Sequence, residues 1–166
     1  MSSPQFPVPG WSTESGRTII RPELPREPSG EALDRALITE RINRYGWAFD
    51  ERRLDLLVDC FTEDGIWEGS VMGVEPYGPF IGRGGIRDFM AGFFPLQSDQ
   101  RRHQFSNFVI EFDGPDRASA HAYLVLWGSE NDRTGAVTAG PYRFVAVRDA
   151  GVWRLSELHG GWDSHF

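Results

Sequence analysis

The last third of the chain constrains the fold most. Residues 103–112, 118–127, 141–148 and 152–159 are rich in β-branched and aromatic residues. Turn signals punctuate them, Asp113-Gly114-Pro115-Asp116 after the first and Asp149-Ala150-Gly151 before the last. Strands that follow one another this closely pair antiparallel. A different period precedes them. Ile38, Ile42, Tyr45 and Phe49 recur at spacings of four, three and four, so they share one face of a helix. That helix starts near the weak cap Ser29-Gly30-Glu31-Ala32, and Glu51-Arg52-Arg53 breaks its pattern. A second helix is predicted over residues 54–61, with Leu54, Leu57, Val58 and Phe61 apolar. Thr62-Glu63-Asp64-Gly65 reads as a turn, residues 66–69 as a short strand, and the Gly/Pro-rich stretch through Gly82 as a loop. Ile86, Phe89, Met90 and Phe93 predict a third helix over residues 84–94, stopped by Pro95. Helix, helix, strand, helix and then four strands is an α+β order. A curved sheet wrapped around the helical layer leaves a closed-end pocket.

Residues 1–29 do not share these periods. Six of the 11 prolines fall there, at positions 4, 7, 9, 22, 25 and 28. Proline cannot donate ladder hydrogen bonds or sit inside helices. The segment reads as an extended arm, with a short strand at Thr18-Ile19-Ile20, and residues 30–166 as a single domain.

Composition removes many chemistries. All 17 basic residues are arginine and the net charge is −7. An acidic chain without a basic run is a poor nucleic-acid binder, because phosphate neutralisation supplies most non-specific affinity. Without lysine there is no Schiff base to a carbonyl substrate and no phosphate-loop lysine. The single cysteine, Cys60, forms no intramolecular disulfide or multi-cysteine zinc site. Its neighbours Leu56, Leu57 and Phe61 make it a buried helical thiol. Gly82-Arg83-Gly84-Gly85 lacks the spacing of a dinucleotide fingerprint, and no Gly-x-Ser-x-Gly elbow occurs. The segment His159-Gly160-Gly161-Trp162-Asp163-Ser164-His165 reads as a mobile tail rather than a set of metal ligands. No apolar run approaches the ~20 residues of a membrane span, and the N-terminus lacks a signal core. The expectation is a cytoplasmic protein that needs neither metal nor cofactor.

What remains is an acid and an imidazole. Asp50 ends the first helix about 80° from the Ile42 direction, at the edge of the buried stripe, where a carboxylate reaches a pocket mouth. His103 enters a strand whose alternation places His103, Phe105, Asn107 and Val109 on one face. Gln104, Ser106, Phe108, Ile110 and Phe112 fall on the other, which is more core-like toward the strand's end; a bulge would reconcile the two halves. A carboxylate that orients one imidazole suffices for proton transfer without a cofactor. Each residue alone also has a structural reading, as a helix-ending acid and a packed strand residue. Tyr45 sits inside the helix stripe, where its hydroxyl needs a partner, a neighbour or a substrate. Trp47, Trp67, Tyr123, Trp127 and Tyr142 are the aromatics that could line an apolar pocket.

With these elements placed, the chain resembles the SnoaL-like branch of the NTF2-like superfamily. Tyr-x4-Asp on the first helix and His-x3-Asn on a long strand carry the likeness. So do Phe61-Thr62-Glu63-Asp64-Gly65-Ile66-Trp67, Ile81-Gly82-Arg83-Gly84-Gly85-Ile86 and Asp149-Ala150-Gly151-Val152-Trp153-Arg154-Leu155. It spans about residues 31–160. The resemblance implies the NTF2-like, or cystatin-like, cone and a homodimer or homotrimer. Within the branch the chain is similar to the cofactor-independent lyases, namely scytalone dehydratase, hexachlorocyclohexane dehydrochlorinase and bile-acid dehydratase. In the last two a helix-one Asp pairs with the strand His, at the positions of Asp50 and His103, and Tyr45 matches the bile-acid enzyme's tyrosine. The dehydrochlorinase's lysine has no counterpart, and Gly128 falls near the place of scytalone dehydratase's second histidine. The resemblance therefore carries the dyad and not the groups that handle a leaving group. It implies a dehydratase-like lyase or isomerase for a small hydrophobic, cyclic substrate, with His103 as base, Asp50 as its partner, and Tyr45 or Asn107 as donor. Two further readings share the fold. One is a binding module or accessory protein like a dioxygenase β subunit; the other is a polyketide or terpenoid cyclase.

Overall fold

The computed structural model describes residues 30–166, so the arm over residues 1–29 and its strand at Thr18-Ile19-Ile20 lie outside the described residues. Helices α1 (Glu31–Asp50) and α2 (Leu54–Asp59) lead into strands β1 (Phe61–Val71) and β2 (Glu75–Ile81). Helix α3 (Gly82–Phe93) and a single 3-10 turn (Phe94–Leu96) follow. Strands β3 (Gln100–Phe112), β4 (Arg117–Glu130), β5 (Arg133–Asp149) and β6 (Val152–Trp162) complete the chain. They form one curved sheet in the order β2-β1-β6-β5-β4-β3, antiparallel except between β1 and β6. This is the α+β cone, with the helices packed into the concave side.

The helical stripe was readable and is used as read. Ile38, Ile42, Tyr45 and Phe49 are all buried in the core. The end of α1 explains how Asp50 is aimed. Arg52 adopts φ 52°, the left-handed conformation usually left to glycine. Its N–H bonds to the Phe49 carbonyl and the Arg53 N–H to that of Ala48, the two bonds of a Schellman stop. A non-glycine residue there costs about 1–2 kcal/mol. The Arg52 guanidinium offsets this by donating to the carbonyls of Gln97 and Asp99, at 3.0 and 3.1 Å. The last turn of α1 is thereby tied to the lead-in of β3. Gly46 permits the close crossing of helix and strand: a Cβ there would stand 3.3 Å from the His103 Cβ and 3.4 Å from the Phe105 ring.

Three boundary expectations are corrected. Residues 62–65 belong to β1, which meets β6 at Phe61, loses register, and resumes at Ile66. The Gly/Pro-rich stretch contains β2, whose Pro76 and Pro79 are tolerated because it is an edge strand with one side unpaired. The segment read as a tail continues β6 to Trp162. There both ring nitrogens of His159 meet carboxylates, Glu68 at 2.6 Å and Glu157 at 2.9 Å. Trp162 itself is buried.

The bulge in β3 is present. Pairing with β4 shifts between Ser106 and Val109, and Asn107 takes φ 55°. The shift lets His103 and Phe105 face the helices and lets Ile110 rejoin the core.

Candidate functional site

The site begins with an edge. Among the described residues β3 pairs only with β4, so half of its main-chain donors point away from that partner. Asp50 caps one of them: its Oδ2 accepts the His103 N–H at 2.9 Å. Its other oxygen, Oδ1, lies 2.6 Å from His103 Nδ1. With Asp50 a carboxylate, Nδ1 carries the imidazole proton and Nε2 presents a lone pair. Nε2 has no hydrogen-bond partner among the described residues. The imidazole is fixed by packing as well, with its centroid 4.5 Å from that of Phe49 and 6.3 Å from that of Tyr45.

His103 forms part of the wall of a cavity between sheet and helices. Tyr45 and Phe49 line it from α1, Phe89 and Phe93 from α3, and Trp67 and Tyr77 from β1 and β2. Leu126, Tyr142 and Trp162 close the sheet side, and Gln97, Arg101 and Phe166 complete the rim. The space amounts to about 400 Å³, counting the part open to solvent at its mouth. The cavity is thus a narrow slot between largely aromatic walls.

Two tyrosines line this slot, and their hydroxyls are engaged in the same manner. Trp67 Nε1 donates to the Tyr45 hydroxyl at 2.9 Å, and Trp162 Nε1 to the Tyr142 hydroxyl at 3.1 Å. Each phenol oxygen already accepts a bond, so each keeps its own hydrogen to donate. Burial pushes both phenols above the usual tyrosine range, so both remain protonated donors. A donated N–H also polarises the acceptor's O–H toward stronger donation.

Of the residues singled out from sequence, His103, Asp50, Tyr45, Trp67 and Tyr142 come together here. Four do not. Trp47, two residues and 200° from Tyr45 around α1, is 69% exposed. Tyr123 and Trp127 are 56% and 37% exposed, because β4 buries the alternate residues Leu124 and Leu126. Trp127 instead donates to Gln104 Oε1 on the outer face, at 2.8 Å. Asn107 is the exposed residue of the bulge. Sequence reasoning missed Arg101, Gln97, Tyr77, Trp162 and Phe166. Arg101 lies two residues before His103 and shares its face, because β3 begins at Gln100, three residues before the strand expected from residue 103. Cys60 is buried and bonded to the Leu56 carbonyl, apart from the slot. Among the described residues, no three His, Cys, Asp or Glu side chains are grouped to hold a metal ion, and no helix is long and apolar enough to cross a membrane.

A sheet curved over helices, with a slot entered between them, defines the cystatin-like or NTF2-like class. Residues 30–159 match the SnoaL-like domain, and the chain belongs to that family. Solved structures agree on the fold. An NTF2-like protein with a cystatin-like fold from Novosphingobium aromaticivorans superposes with TM-score 0.69 at 23% identity, covering 82% of this chain and 86% of its own. The β subunit ascribed to an aromatic-ring-hydroxylating dioxygenase of the same organism gives 0.71 at 21% identity, covering 83% and 94%. A Catenulispora acidiphila protein solved in complex with S-DNPA gives 0.69 at 27% identity, covering 80% and 95%. No curated protein matches the sequence significantly.

Proposed function

We propose that this chain is a cofactor-independent lyase or isomerase that removes a proton from carbon in a small hydrophobic, cyclic substrate. The observation that carries this reading is the 2.6 Å contact between Asp50 Oδ1 and His103 Nδ1 on the wall of an aromatic slot. His103 Nε2 takes the proton, and Asp50 holds the tautomer and stabilises the imidazolium that results. Electron density left on carbon moves to an adjacent carbonyl, whose oxygen accepts the free Tyr45 hydrogen. The dry aromatic walls strengthen both interactions. General base catalysis of this kind contributes roughly 10²–10⁴-fold. The same first step serves elimination, isomerisation and aldol-type cyclisation, so all three remain within the reading. An accessory role like that of a dioxygenase β subunit rests on likeness of fold alone and does not account for a carboxylate–imidazole pair on the wall of a slot.

Deuterium exchange tests the step without knowledge of the natural substrate. 2-Tetralone, a flat cyclic ketone, should exchange its α-protons in deuterated water faster with the protein than with buffer, as followed by proton NMR. His103→Ala and Asp50→Asn should each lower the protein-dependent rate by about two orders of magnitude. Full exchange by His103→Ala would end the proposal.

A further inference from the structure

Among the described residues, Arg101 is the one arginine on the wall of the slot. Its side chain is only 11% exposed, on the same strand face as His103 and two residues before it. Asp99 binds it through Nε alone, at 2.7 Å. A carboxylate that serves only to neutralise a buried arginine commonly takes the two-pronged geometry, which uses two nitrogens. Here the Nη1 amino group is left buried with no hydrogen-bond partner. The guanidinium is held in place by Phe166, whose ring centroid lies 5.7 Å from Cζ. On the same wall, the side-chain amide of Gln97, a buried residue, makes no hydrogen bond among the described residues. A positioned cation with an unfilled Nη1 and an amide without an acceptor thus line a largely aromatic slot.

We infer that Arg101, with Gln97, is a specificity site for a carboxylate, and that the substrate of the slot is a flat hydrophobic carboxylic acid. The inference rests on the slot being the substrate site, as proposed above, and adds the chemical class of what enters it. Charge selects the group. Asp99 already balances part of the single guanidinium charge, so the site suits a monoanion better than a phosphate dianion. A carboxylate oxygen accepts from Arg101 Nη1, and the Gln97 amide supplies a second donor. Residues two apart on a strand are separated by about 6.6 Å. The carboxylate anchor and the base therefore stand on neighbouring positions of one strand face.

Isothermal titration with 2-naphthoate and its neutral isostere 2-naphthamide tests this. The unmodified protein should bind the naphthoate at least tenfold more tightly. Arg101→Gln should erase that preference while leaving naphthamide binding unchanged. Arg101→Lys, which keeps the charge and loses the fork, should retain part of the preference and guards against a misfolded glutamine variant. His103→Ala should keep the full preference, so loss of proton exchange and loss of carboxylate selection are separable failures. Equal affinity for the two probes, a preference that survives Arg101→Gln, or no binding of either probe at millimolar concentration would overturn the assignment.

Discussion

The carboxylate of Asp50 holds His103 at two points, the ring Nδ1 at 2.6 Å and the main-chain N–H at 2.9 Å. One side chain thus satisfies a sheet edge and sets the tautomer of an imidazole. The two duties separate by substitution. Asp50→Asn keeps an acceptor for the edge N–H but carries no charge to support an imidazolium. It should fold and lose about 10²-fold in proton exchange. Asp50→Ala should also lose about 1–3 kcal/mol of unfolding free energy, because a part-buried N–H is left unpaired. Urea titration reads that loss, and equal stability of the Asn and Ala variants would contradict it.

Trp67 and Tyr45 form a second coupled pair. Tyr45→Phe leaves the Trp67 indole N–H buried without its acceptor, at a cost of about 1–3 kcal/mol. Trp67→Phe removes the donor instead. The double variant should be less destabilised than the sum of the two single ones, with a coupling of about 0.5 kcal/mol or more in urea unfolding. Strict additivity would mean that the hydrogen bond contributes nothing to stability.

Burial of Tyr45 and Tyr142 has a consequence at alkaline pH. Both phenols are raised in the folded protein, whereas unfolded tyrosine ionises near pH ~10. The unfolded state therefore releases these protons first. The stability from keeping them neutral is complete below about pH 10 and is lost as pH rises beyond it. The urea midpoint should fall steeply from about pH 9.5 to 11, and less steeply in Tyr142→Phe. Identical slopes for the two proteins would show that Tyr142 ionises normally.

Asn107 serves the backbone. Its positive φ at the β3 bulge suits asparagine or glycine and penalises alanine. Asn107→Ala should lose about 1 kcal/mol of stability and Asn107→Gly very little. Neither should change the exchange rate of 2-tetralone. A glycine variant that folds normally but loses exchange would return Asn107 to the site.

Elements whose own periodicity decides them were legible in the chain. The stripe Ile38, Ile42, Tyr45 and Phe49 is buried as its spacing requires. The hairpin at Asp149-Ala150-Gly151 closes with Asp149 opposite Val152. β2 was not legible, because Pro76 and Pro79 argue against a strand unless the chain is known to lie at an edge. Adjacency in the sheet belongs to tertiary structure: β6 returns beside β1 in parallel, 91 residues separating His159 from its partner Glu68.

The site divides along the same line. Residue types by themselves excluded lysine chemistry, and the family resemblance singled out Asp50 and His103, 53 positions apart. Only the folded chain decided that they touch, because their contact depends on the left-handed stop at Arg52, on Gly46 where helix meets strand, and on the open edge of β3. It also decided which aromatics line the slot. Trp162 faces it and Trp47 does not, since the side of a helix or strand that meets the core is set by its partners, and side-chain type alone cannot choose it.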